Sequence, residues 1–233
     1  MSRTISLTVK DSIMNAYVAV PRGSGPFPAV IVFHDAFGVN AEIRGVADKL
    51  AREGFVVIAP ELFHRTAEPG FEARYYQVPA VMPHVNAMKQ EQITEDMQAA
   101  FKWLRTQDNV NENGIGSIGF SLGGRFSFIA NSQLKLKASV SVYGGQLHKE
   151  LERVPKLRGA QLFVWGGNDE YISRTQSLAI TNAVRDAGKD CVSLEFSNAK
   201  HSFFYAEHPA YDAGAAIQTW AVAKEFLKYH LQA

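Results

Sequence analysis

The sequence predicts an α/β fold: a mostly parallel central sheet with helices on both faces. Three observations lead there. Short β-branched runs alternate with amphipathic stretches along the chain. The early run Ala29-Val-Ile-Val-Phe33 does not alternate polar with apolar residues, which marks a strand covered on both faces. The 233 residues are ample for one well-buried core. No internal repeat, low-complexity tract or linker interrupts them, so a single domain over residues 1–233 is expected.

The elements follow in order. Ile5–Val9 and Tyr17–Val20 read as antiparallel edge strands joined through Lys10-Asp11-Ser12. After the strand at Ala29–Phe33, Asn40 is a helix N-cap, with Ile43, Val46, Ala47 and Leu50 at helical spacing behind it and Gly54 at the C′ position. Phe55–Ala59 is a strand closed by Pro60. Residues 64–89 break the rhythm, because Pro69, Gly70, Pro79 and Pro83 interrupt a stretch carrying Phe71, Tyr75, Tyr76, Val81 and Met82. A long aromatic excursion is either disordered or a cap over a site, and its apolar content favours the cap. Ile93, Met97, Phe101 and Leu104 mark a helix face, Ile115–Phe120 a strand, Leu122–Asn131 a helix. Ala138–Tyr143 and Gln161–Trp165 are the next strands. Ser173-Arg-Thr-Gln176 is a capping box opening a helix with Ile180, Ala183, Val184 and Ala187 inward. Cys191–Phe196 is the last strand, and Trp220, Ala223, Leu227 and Leu231 form the stripe of a final helix.

Composition excludes several classes. With 24 Lys plus Arg against 23 Asp plus Glu, the net charge of +1 offers no electrostatic case for nucleic acid or an anionic membrane surface. The N-terminus lacks the apolar core of a signal peptide and no run approaches membrane-spanning length, so a cytoplasmic location is expected. Cys191 is the only cysteine; it reads as a small buried hydrophobe. No HExxH-type or paired-cysteine spacing exists, so no metal site is expected.

The sharpest signal is Gly119-Phe-Ser121-Leu-Gly123, followed by Gly124. It fits G-x-S-x-G between a strand and a helix, the context of a nucleophile elbow and of an α/β-hydrolase fold. A serine hydroxyl needs a base, and the base an orienting acid. In such folds these follow in the order Ser, Asp or Glu, His. Gly166-Gly-Asn-Asp169 ends a parallel strand and puts Asp169 at the mouth of the sheet. Glu170, its nearest rival, reads as surface charge. His201 follows the last strand after a short loop, whereas His230, His208, His64, His84 and His148 occupy less suitable stations. Two backbone N–H groups are needed for the oxyanion, and Leu122 and Ala36 are the candidates.

Together these motifs resemble the dienelactone hydrolase family over nearly the whole chain. The resemblance rests on Asp35-Ala-Phe-Gly-Val-Asn40, Ala59-Pro-Glu-Leu-Phe63, Gly119-Phe-Ser-Leu-Gly-Gly124, Gly166-Gly-Asn-Asp169 and His201-Ser-Phe203. It implies a compact α/β-hydrolase domain that opens an ester or lactone bond without a cofactor. Three departures stand out. Well-studied members use a cysteine nucleophile, and this chain has Ser121. They carry a glutamate that contacts the resting cysteine, where this chain has the shorter Asp35; a contact with the nucleophile and a purely structural contact are both open. They hold an anionic lactone with arginines, and Tyr205 occupies one of those positions, which points away from dienelactone itself.

The leading expectation is therefore an esterase or lactonase working through an acyl-enzyme on Ser121, with a small-molecule ester or lactone as its partner. A thioesterase or an acyltransferase on the same triad is an alternative, as is a non-catalytic binding protein of the same fold. A monomer is expected, with a dimer as the alternative. Asp35, Phe37, Tyr75, Phe204 and Tyr205 are the candidate substrate contacts, and they favour neutral aromatic or apolar esters. The bland reading is that the aromatics only pack the cap onto the body. Arg65 and Arg74 keep open a relocated anion site.

Overall fold

The computed structural model describes residues 1–10 and 12–232. Asp11, expected in the first turn, lies outside the described residues. The elements are β1 (Ser2–Val9), β2 (Ser12–Ala19), β3 (Phe27–Phe33), α1 (Ala41–Arg52), β4 (Val56–Pro60), α2 (Val78–Ala87), α3 (Gln90–Arg105) and β5 (Val110–Phe120). They continue with α4 (Leu122–Gln133), β6 (Ala138–Val142), β7 (Ala160–Gly166), α5 (Arg174–Asp186), β8 (Cys191–Phe196) and α6 (Ala213–Leu231). The chain falls into two compact units, Met1–Ile115 and Gly116–Ala233, and β5 runs from the first into the second.

In the first unit β1 and β2 pair antiparallel, β2 pairs antiparallel with β4, and β3 lies parallel to β4. Every residue of β4 is buried, as an apolar run covered on both faces should be. Asn40 caps α1 by accepting the Ile43 N–H at 3.1 Å, and Ile43, Val46, Ala47 and Leu50 face inward. Gly54 beyond its end takes φ +97°, a conformation that costs any other residue. Two expectations are corrected here. β2 starts at Ser12, and it is no edge strand, since β1 and β4 flank it. Residues 64–89 are not wholly irregular. Pro79 enters α2 in its first turn, where no N–H is required. Pro83 lies one turn later, so the bond its ring forbids is the one to the Pro79 carbonyl, and the short helix survives with Val81 buried.

The second unit is parallel throughout: β5 pairs with β6, β6 with β7 and β7 with β8. Residues of β6 and β7 are all buried. β8 pairs only with β7 among the described strands and is a mixture of half-buried and exposed residues; Cys191 is half-buried rather than the buried hydrophobe expected. Burial nevertheless pushes its thiol up to about 11. Ser173 and Gln176 form the expected capping box on α5. α6 buries Ala223, Leu227 and Leu231 as expected, while Trp220 sits on its shoulder, half-buried. Because parallel strands end at one edge, β5, β6, β7 and β8 deliver Ser121, Tyr143, Asp169 and His201 from their carboxyl ends. Among the described residues, no helix is long and apolar enough to cross a membrane.

Candidate active site

Ser121 sits between β5 and α4 at φ +52°, a conformation that L residues rarely adopt. Its N–H donates to the Val142 carbonyl at 3.0 Å, which ties the turn to the end of β6. Only glycine fits beside it. A Cβ on Gly119 would lie 1.9 Å from the Gly123 carbonyl oxygen, and one on Gly124 would lie 2.8 Å from the Gly144 Cα. This close approach is why the elbow needs small residues on both sides of the serine.

The Ser121 hydroxyl lies 2.8 Å from His201 Nε2. His201 Nδ1 lies 2.7 Å from Asp169 Oδ2. A carboxylate accepts only, so Nδ1 carries the proton and Nε2 presents its lone pair to the hydroxyl. The other oxygen, Asp169 Oδ1, accepts the backbone N–H groups of Tyr171 at 2.8 Å and Ile172 at 2.9 Å. The carboxylate is thus fixed at both ends, with its side chain 1% exposed. Glu170 is exposed, as a surface charge should be, yet its Oε2 accepts the His201 backbone N–H at 3.4 Å. Two tyrosine rings, Tyr143 and Tyr171, meet the imidazole, each with its centroid 5.1 Å away. Sequence reasoning missed both tyrosines, because neither occupies a position that any catalytic pattern marks.

Leu122 is the first residue of α4, so its N–H has no acceptor within the helix and is available to a ligand. Phe204 is half-buried against Phe120, and Tyr205 is fully buried with its ring 5.3 Å from the Phe120 ring.

The remaining candidates lie in the first unit. Ala36 follows Asp35, whose carboxylate is buried and whose Oδ1 accepts the Phe37 N–H at 2.7 Å. That is a structural contact within the loop, one of the two roles left open above. Burial pushes the Asp35 carboxyl up to about 7, against the opposing pull of the Phe37 N–H. Phe37 and Tyr75 stack edge to face at 5.0 Å, and the Tyr75 hydroxyl accepts from Asn40 Nδ2 at 3.3 Å. Arg65 is committed elsewhere: its Nη1 donates to both oxygens of fully buried Asp96 at 2.9 Å, with His64 beside them. Arg74 is exposed. Sequence reasoning missed Asp96 as well, since a charged residue on a helix reads as surface.

The family model of dienelactone hydrolases matches residues 14–231. The chain belongs to the dienelactone hydrolase family. It is accordingly a hydrolase of the esterase class, built on the α/β-hydrolase fold. A protein of Synechocystis sp., provisionally named a carboxymethylenebutenolidase, is 30% identical over 228 residues, spanning 93% of this chain and 92% of that protein. The carboxymethylenebutenolidase of Pseudomonas putida is 27% identical over 197 residues, spanning 82% and 81%. Among solved structures, a provisionally assigned dienelactone hydrolase from Klebsiella pneumoniae superposes with a TM-score of 0.86 at 24% identity, covering 97% of this chain and 98% of that one. This member of the dienelactone hydrolase family places serine at its elbow.

Proposed function

We propose that the chain hydrolyses carboxylic esters or lactones through an acyl-enzyme on Ser121. The observation that carries this reading is the continuous hydrogen-bond relay from Ser121 Oγ to His201 Nε2 at 2.8 Å and from His201 Nδ1 to Asp169 Oδ2 at 2.7 Å. Within it His201 takes the serine proton as Oγ attacks the carbonyl carbon, and returns that proton to the leaving alcohol as the acyl C–O bond breaks. Water, deprotonated by the same imidazole, then releases the acid. Asp169 holds the tautomer and stabilises the imidazolium. The Leu122 N–H, at the start of α4, stabilises the oxyanion, aided by the positive end of the helix dipole. The Ala36 N–H is proposed as the second donor on the sequence argument alone.

The substrate is proposed to be neutral. Arg65, one of two cations that could have held an anion, is occupied by Asp96, and the carboxylate of Glu170 accepts the backbone N–H of His201. A panel of ethyl, aryl, thioester and lactone substrates, read for wild type and Ser121→Ala, tests the assignment. Ester or lactone turnover that collapses in the variant supports it. Turnover confined to thioesters supports the alternative acyl chemistry. Undiminished turnover in Ser121→Ala overturns the serine mechanism.

A further inference from the structure

Tyr171 is an aromatic residue left 74% exposed in a loop that is otherwise fixed. Its backbone N–H is held by Asp169 Oδ1 at 2.8 Å, and the following residue, Ile172, is anchored by the same oxygen and is 7% exposed. The ring meets the His201 imidazole edge to face, with centroids 5.1 Å apart and planes at 76°. Tyr143, the other ring on that imidazole, is fully buried and offers no surface to a ligand. Tyr171 therefore presents the accessible aromatic face of this pair, on a rigid support, at the residue that handles the proton.

We propose that Tyr171 is a specificity-determining residue that selects substrates by their leaving group, favouring alcohols with a flat, neutral, apolar body. The inference rests on the acyl-enzyme reading above. As the acyl C–O bond breaks, the departing oxygen takes its proton from His201 Nε2, so the leaving group passes beside the imidazole. A ring next to that imidazole contacts the body of the leaving alcohol rather than the acyl chain. Glu170, whose Oε2 accepts the His201 backbone N–H, adds a negative charge close to that residue and disfavours leaving groups that carry a carboxylate.

The test compares benzyl acetate with ethyl acetate, which share an acyl group and differ in the leaving alcohol. The quantity read is the ratio of kcat/KM for benzyl over ethyl within each variant, so partial loss of folded enzyme cancels. Tyr171→Ala lowers that ratio by roughly threefold to tenfold, the worth of one aromatic contact, and Tyr171→Phe retains it. If Tyr171→Ala does not fold, Tyr171→Leu carries the same comparison. An unchanged ratio in the folded variant, with hydrolysis of both esters still lost in Ser121→Ala, overturns this inference and leaves the acyl-enzyme reading standing. Hydrolysis that persists in Ser121→Ala overturns the reading itself.

Discussion

Asp169 grips His201 through one carboxylate oxygen while the other oxygen is anchored by the chain itself. Oδ2 meets His201 Nδ1 at 2.7 Å, and Oδ1 takes two backbone N–H groups at 2.8 and 2.9 Å. Such a carboxylate cannot rotate away, so it dictates which imidazole nitrogen faces Ser121. Replacing Asp169 with Asn removes the negative charge and puts an amide N–H within reach of the imidazole. The wrong tautomer then faces the serine. Activity is expected to fall by roughly 10³- to 10⁴-fold, with the far-ultraviolet circular dichroism spectrum unchanged. An Asn variant with near-normal kcat would show that another group orients His201.

Two neighbours in the first unit titrate in opposition. Burial holds His34 down at about 4 from an ordinary 6.5, and burial lifts Asp35 to about 7 from 3.8. For Asp35, whose folded pKa is raised, the stabilisation is full below pH 3.8 and is lost as pH climbs through about 7. For His34, whose folded pKa is depressed, the stabilisation is full above pH 6.5 and is lost as pH falls through about 4. Between those limits the two slopes oppose one another. Asp35→Asn therefore exposes the His34 slope: its denaturation midpoint in urea should climb with pH more steeply than that of wild type over this window. Parallel profiles would contradict the opposition.

A buried ionic knot joins β2, the segment after β4, and α3. Asp96 is fully buried; Arg65 donates to both its oxygens at 2.9 Å, and His64 Nε2 lies 3.1 Å from one of them. The other ring nitrogen of His64 lies 3.2 Å from the Ile13 carbonyl. Removing the carboxylate leaves a largely buried guanidinium with only Glu95, 3.8 Å from its Nη2, as counter-charge. Asp96→Ala is expected to destabilise the fold by about 3–5 kcal/mol in urea unfolding. A loss under about 1 kcal/mol would mean that Arg65 finds a substitute acceptor.

Much of this was legible because it is written locally. The caps at Asn40 and Ser173 are short-range hydrogen bonds between a side chain and the next turn, so residue type and spacing suffice to find them. Gly119 and Gly124 betray the elbow for a similar reason, since the close approach leaves no room for a Cβ. Edge status is different: β8 is half-exposed and β2 is not an edge because of which strands lie beside them, and no window of sequence records that. Asp96 reads as surface until Arg65 and His64 are brought to it from a distant segment. Tyr171 is two residues from Asp169, but its contact with His201 depends on how the loop turns over Asp169 Oδ1.

The covalent bond proposed to form on Ser121 can be trapped directly. The chain is treated with an alkyl fluorophosphonate, digested and sequenced by mass spectrometry. One adduct is predicted, on Ser121, forming in step with loss of esterase activity and at a rate strongly reduced in His201→Ala, because the imbalance of a hydroxyl without its base leaves a poor nucleophile. An adduct on another residue, or complete inactivation with Ser121 unmodified, would contradict the account.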